Sequence, residues 1–219
     1  MSGRQEVAIG LGAYGAYLLV RRAVWNERGR ERAAANARRI IDLERAVGID
    51  VEADVQRAML RVPGLVHGLN AGYAAGNVAL SVGWLLRLYF RGDPAFVAER
   101  RALLIAFGAA LPFFAVYPTA PPRTLDGFID TLGGDGAGLD HPRLVRLYNP
   151  IAAMPSHHVA FAVVTGMGLA RRARTRSSRA GWTAYPGAVA VVVIATANHF
   201  VADAIGGAVV GAVARRIVR

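Results

Sequence analysis

The chain has 219 residues, with 26 basic against 15 acidic side chains for a net charge of +11, and every basic residue is Arg. Hydrophobic residues make up 54% and charged residues 19%, with a mean hydropathy of +0.32, too apolar for a disordered chain. The absence of Cys excludes a disulfide framework and any Cys-ligated zinc or iron–sulfur centre. The length suits one domain of ordinary size.

Uncharged runs recur at residues 7–20, 68–86, 102–122, 149–170 and 180–198, and at 204–214 after the single charge of Asp203. Four of them approach the roughly 20 residues that cross a bilayer as a helix. The first is short. It is also a poor secretory signal, because Arg4 alone flanks it and no clean small-residue cleavage site follows. The fold class read from this pattern is all-α, an integral membrane bundle of five to six transmembrane helices with an interfacial amphipathic helix. A soluble bundle of buried helices is the competing reading.

Arg87, Arg91, Arg100 and Arg101, then Arg171, Arg172, Arg174, Arg176 and Arg179, and finally Arg215, Arg216 and Arg219 occupy alternate loops and the end of the chain. The positive-inside rule places these in the cytoplasm. The loop 123–148, with Asp126, Asp130, Asp135 and Asp140, then faces outward together with the turn at His199. This describes a multi-pass protein of the cell (inner) membrane with its chemistry on the outer side. The basic charge reads as topology and as attraction to anionic headgroups of the bilayer. Nucleic acid is not an expected partner, since no basic stripe alternates with exposed aromatics. Nothing fixes the oligomeric state.

Residues 21–48 break the pattern. Arg21, Arg22, Arg28, Arg30, Arg32, Arg38, Arg39 and Arg45 make the segment look cytoplasmic, yet the next span must start from outside. Either the first span runs outward despite the Arg-rich segment, or the polar stretch 49–67 crosses while packed against protein. Ala33, Ala37, Ile40, Ile41, Leu43 and Val47 have helical apolar spacing, which suits an interfacial helix. Residues 1–67 are accordingly expected to form the N-terminal span and an Arg-rich interfacial region, and 68–219 the catalytic bundle. Pro112 reads as a helix kink, and Gly206, Gly207 and Gly211 as sites of close helix packing.

Three motifs at outer helix ends carry chemistry. Residues 117–123 (YPTAPPR) place Arg123 beyond three prolines that stiffen the exit of the third span. A guanidinium there suits phosphate, with planar donors and a permanent charge. Residues 149–158 (NPIAAMPSHH) put Pro155 and Ser156 at a helix start, where free N–H groups and the dipole favour an anion. His157 and His158 point about 100° apart on a helix, so one should face the bundle and the other the loop or lipid interface. Residues 198–203 (NHFVAD) space His199 and Asp203 at i and i+4, a distance over which a carboxylate on a helix reaches one ring nitrogen and fixes the tautomer.

Together these motifs resemble the type 2 phosphatidic acid phosphatase superfamily, and within it 117–123, 154–158 and 198–203 resemble the inositol phosphorylceramide synthases and their bacterial relatives. Asn36, Arg38, Arg39, Glu44, Asn70 and Tyr73 fall in similar places upstream. The resemblance implies His199 as nucleophile, Asp203 as the group that orients it, His158 as general acid, and Arg123 and Ser156 as holders of the phosphoryl oxygens. His157 has no assigned role, and Tyr117 and Asn198 are further candidates for the site. The Ser-Arg pair usual before the nucleophile is replaced by Val192 and Val193, and the first motif lacks an upstream Lys, so Arg38 or Arg39 would make up the missing charge.

The implied enzyme cleaves a lipid phosphate ester through a phosphohistidine, with no cofactor and no metal. Water as acceptor makes it a phosphatase. A lipid alcohol makes it a phospho-headgroup transferase. A vanadate haloperoxidase shares the site type but uses additional cations missing here, and a non-catalytic scaffold is the remaining alternative.

Overall fold

The computed structural model describes residues 2–132 and 145–218, without the side chains of His67, Ala71, Tyr73, Ala74 and Ala75. Asp135, Asp140 and the side chain of Tyr73 therefore lie outside the described residues. Nine α-helices occur among these residues: α1 (Gly3–Val24), α2 (Glu27–Val47), α3 (Glu52–Leu60), α4 (Leu65–Ala71), α5 (Val78–Phe90), α6 (Phe96–Val116), α7 (His157–Arg172), α8 (Arg176–Ala195) and α9 (Val201–Ile217). A π-helical turn, Gly72–Asn77, joins α4 to α5. Apart from one isolated bridge between Thr119 and Ala152, the described residues contain no β-structure, as the all-α reading expected.

Capping residues set the helix starts. Ser2, Asn26, Ser156 and Thr175 each accept a first-turn N–H, opening α1, α2, α7 and α8. Helix α2 stops at Gly48, whose φ of 74° lets the chain double back while Gly48 and Ile49 N–H groups satisfy the Arg45 and Glu44 carbonyls. That turn sets α3 beside the end of α2.

Helix α7 packs against α5, α6, α8 and α9, and α1 lies along α6. The interior is built from small residues, including Ala102, Ala106, Ala160, Val164 and Ala214 in one cluster and Ala162, Val163, Val193 and Ala204 in another. Gly207 and Gly211 explain how closely α9 approaches α7. A Cβ on Gly207 would lie 2.3 Å from the Ser156 carbonyl oxygen, and one on Gly211 would lie 2.6 Å from that of Ala160. Gly207→Ala should therefore cost about 1–3 kcal/mol of stability and displace Ser156, which a thermal-unfolding comparison in detergent will register.

Several boundaries differ from the uncharged runs. Helix α6 begins six residues before the run 102–122 and includes Glu99, Arg100 and Arg101. Ion pairs make this possible: Arg215 holds Glu99 at 2.7 Å, and Arg100 pairs with Glu6 of α1. Helix α7 starts only at His157, because Pro150 and Pro155 interrupt the run before it. Pro112 sits inside α6. Helix α1 is 22 residues long and, among the described residues, is the one helix long and apolar enough to cross a membrane. Run 7–20 looked short because Arg4, Glu6, Arg21 and Arg22 are part of that helix.

The two ends of the bundle are chemically distinct. Arg172 pairs with Asp93 and Arg215 with Glu99, and a cavity of about 600 Å³ collects Arg87, Arg91, Arg172 and Arg174 at the same end. At the other end the three motifs meet. Arg21, near the end of α1, donates to the Tyr148 and Val145 carbonyls at 2.6 and 2.9 Å, and Arg32 donates to Val116 O at the end of α6. Helix α1 thus runs to the motif end despite its Arg-rich sequel. Helix α2 turns Ala33, Asn36, Ala37, Ile40 and Glu44 inward against the motif end, at the opposite end of the bundle from Arg87, Arg91, Arg172 and Arg174.

Candidate functional site

Backbone hydrogen bonds knit the three motifs together in pairs. Thr119 N–H donates to Ile151 O at 2.9 Å and Ala153 N–H to Thr119 O at 3.1 Å, which joins the first motif to the second. Arg123 N–H donates to Ala197 O at 2.9 Å, joining first to third, and Ser156 N–H donates to Asp203 O at 3.0 Å, joining second to third. Ala197 has φ 51°, a left-handed conformation costing a non-glycine residue about 1–2 kcal/mol. It turns the chain sharply between α8 and α9 and presents its carbonyl to Arg123.

His199 lies in this turn, two residues ahead of α9, while Asp203 is in the first turn of that helix. The spacing of four therefore does not act through a helical turn. Asp203 Oδ2 caps the Phe200 N–H at 3.0 Å and from there reaches His199 Nδ1 at 3.4 Å. His199 Nδ1 is also 3.0 Å from the Ala153 carbonyl oxygen. With two acceptors facing Nδ1, that nitrogen carries a proton. Asp203 is fully buried and His199 5% exposed, so both are held rigidly.

Arg123 is positioned by a 3₁₀ turn, Pro122–Thr124, and is 7% exposed. Its Nε donates to Asn198 Oδ1 at 3.0 Å, and Nη1 is 3.4 Å from Asp130 Oδ2. Asn198 in turn donates to Asn70 Oδ1 and to Thr196, and Asn70 to Thr131. These partners orient the guanidinium edge that faces a cavity of about 450 Å³, lined also by His157, His158, Asn198 and His199.

His158 and His199 rings are 5.8 Å apart at 61°, and Asn77 holds the His158 carbonyl at 2.8 Å. His157 takes the other direction, stacked 4.9 Å from Phe107 with Phe114 and Phe161 around it. Its Nε2 bonds the Phe107 carbonyl at 3.1 Å, one turn before Pro112. The two imidazoles diverge as the sequence required, but neither turns to a lipid interface: both line the cavity. Phe107, Phe161, Tyr14 and Tyr17 give that cavity one aromatic wall.

The remaining candidates fall outside it. Ser156 is fully buried as the cap of α7, its Oγ accepting from Val159 N–H at 3.3 Å, so its contribution to the cavity runs through the helix start. Tyr117 packs against the cluster of Val24, Ala33 and Phe200. Arg38 and Arg39 are exposed on α2, do not line the cavity, and Arg39 donates to Asn36 Oδ1. They are not brought to Arg123 as the missing cations. Asp130 and the Ala153 carbonyl are the contributors that motif reading missed, whereas Asn70, already picked out upstream by the resemblance, joins the network behind Arg123. Neither is marked in the sequence: Asp130 is an exposed carboxylate of the 123–148 loop and the Ala153 acceptor is a backbone atom.

A backbone-anchored imidazole paired with a carboxylate, a second imidazole and an oriented guanidinium meet at one end of the helical bundle, groups whose chemistry suits phosphoryl transfer. The chain belongs to the PAP2 superfamily, whose family model matches residues 38–217. No curated protein and no solved structure matches the chain. Membership brings a phosphatase or phosphotransferase type of activity on lipid phosphates in general, in proteins typically associated with membranes.

Proposed function

We propose that the protein cleaves a lipid phosphate ester through a phosphohistidine on His199, at the outer face of the membrane. His199 Nε2 attacks phosphorus and the P–O ester bond breaks while His158 protonates the departing alkoxide. Arg123 and the start of α7 balance the charge on the phosphoryl oxygens. Water or an alcohol, giving its proton to His158, then attacks phosphorus, the P–N bond breaks and His199 is regenerated.

The observation that carries this reading is the pair of acceptors, Ala153 O and Asp203 Oδ2, on His199 Nδ1, which in the neutral ring leaves Nε2 as a lone-pair donor in a cavity shared with Arg123 and His158. Multi-pass insertion is supported by the outward apolar faces, with Val7, Leu11 and Leu19 of α1, Phe113 of α6, Val191 of α8 and Val209 of α9 all at least half exposed. Such large exposed side chains suit lipid, not water. In this reading α1, α4–α5, α6, α7, α8 and α9 make six passes, and the Arg-rich end is cytoplasmic. The wording of 117–123, 154–158 and 198–203 further supports the synthase-like branch, and with it a lipid alcohol as acceptor.

Phosphate release from a panel of lipid phosphates, by purified protein in detergent with EDTA, tests the reading. Release that survives EDTA is the expected result for a hydrolase. If release fails but phosphate moves from a phospholipid donor to an added lipid alcohol, the transferase form is correct. Failure of both sinks the proposal.

A further inference from the structure

Two carboxyl groups that no part of the motif chemistry uses converge on the helix that carries Asp203. Glu44, from the last turn of α2, accepts the Ala202 N–H at 2.7 Å through Oε1, and Glu52, from the first turn of α3, accepts the Val201 N–H at 2.7 Å through its own Oε1. Glu44 is 1% and Glu52 2% exposed. Asp203 takes the Phe200 N–H, so three successive N–H groups at the start of α9 each have their own carboxyl acceptor. The left-handed Gly48 turns the chain between the two helices, so that each presents a carboxyl group to the start of α9.

Three ionised carboxylates at one dry helix end would repel one another. Glu44 Oε2 is buried with no hydrogen-bond partner, and Glu44 and Glu52 present their Oε1 atoms to adjacent N–H groups, which brings the two carboxyl groups together. Two carboxyl groups bond each other only when one holds a proton. We propose that Glu44 and Glu52 act as a single acid pair, Glu44 Oε2–H donating to the Glu52 carboxylate, and that this pair fixes the start of α9 and so positions Asp203 against His199. This rests on the reading of His199 and Asp203 given above. Both glutamates are positioning residues, since neither lines the cavity.

The charged groups facing Glu44 are Glu52 from α3 and Asp203 from α9. Burial, reinforced by these two charges, pushes the Glu44 carboxyl up to about 8 from an ordinary 4.5. A raised carboxyl contributes stability below its unfolded value and loses it as pH rises toward the folded one. Stability should therefore decline across the interval from 4.5 to about 8, and Glu44→Gln should flatten that decline. Above it, the shared proton is gone and the two carboxylates push apart.

Amide hydrogen exchange at Val201 and Ala202, corrected for intrinsic rate, reads the pair directly. The expected result in the wild type is protection below pH 8 that is lost above it. Glu44→Gln, whose amide accepts from Ala202 and donates to Glu52 without titrating, should keep protection on both sides. Glu44→Ala should lose it throughout. In parallel, kcat should fall roughly 10- to 100-fold in Glu44→Ala, the range for removing a partner that orients a reactive group, with KM unmoved and most activity restored in Glu44→Gln. An alkaline loss of protection in Glu44→Gln equal to the wild type's overturns the acid pair. Full protection or unchanged kcat in Glu44→Ala overturns the positioning role. Should Glu44→Ala not fold, the pH comparison of wild type with Glu44→Gln decides alone. If the exchange behaves as expected but turnover does not depend on His199, the catalytic reading falls and the pair stands.

Discussion

His199→Ala is expected to abolish turnover, with a loss of about ten-thousand-fold or more, while the protein still purifies as a folded species. The size follows from the role. No other imidazole in the described structure combines a place in the cavity with an Nδ1 faced by both a carbonyl and a carboxylate. Stability should change far less, because the substitution removes only the Nδ1 contacts to the Ala153 carbonyl and Asp203, together worth about 1–3 kcal/mol. Turnover by purified His199→Ala within tenfold of the wild type would remove the covalent mechanism.

His158→Ala is expected to show a smaller but selective defect. As the proton donor to the leaving group, His158 should contribute about a hundred- to ten-thousand-fold with an alkyl ester. An aryl phosphate with an acidic phenol leaves without that proton, so the same variant should lose little against it. Paired kcat/KM measurements on the two ester types check the role. Equal loss on both esters would mean that His158 holds the phosphoryl group or the fold, not a proton. The packing leaves room for the test: the His158 carbonyl, not its ring, is what Asn77 holds.

How much of this was legible in the chain depends on how far apart the interacting residues lie. The cap at Ser156, the divergence of His157 and His158, and the close packing at Gly207 and Gly211 were readable because helix geometry is local. The inward face of α2 was partly readable. Ala33, Ala37 and Ile40 turn inward, but Leu43 and Val47, with the same apolar character, are 61% exposed, since composition alone does not say which side protein covers. The placement of residues 21–60 was not readable. Counting Arg takes no account of what a segment packs against, and here Arg21 donates to the Tyr148 and Val145 carbonyls while the inner face of α2 packs on Ala120, Ile151 and Phe200, all far along the chain. The network behind Arg123 was equally hidden, because Asn198 and Asn70 are separated by 128 positions. The resemblance picked out both residues, but no spacing shows that they meet. The contact between His199 and Asp203 was foreseen with its i and i+4 spacing, although the capped turn of Phe200 makes it, not a turn of helix.

The central claim is that phosphorus becomes bonded to His199, and trapping that bond tests it most directly. Purified protein would be mixed with a labelled lipid phosphate, quenched in base within a turnover, digested and mapped by mass spectrometry. The result expected is a base-stable, acid-labile phosphoryl group on the peptide containing His199, absent from His199→Ala and accumulating in His158→Ala supplied with an aryl phosphate, since water then attacks without its base. A wild-type enzyme that turns over substrate without any such label, or that carries the label at another residue, would contradict it.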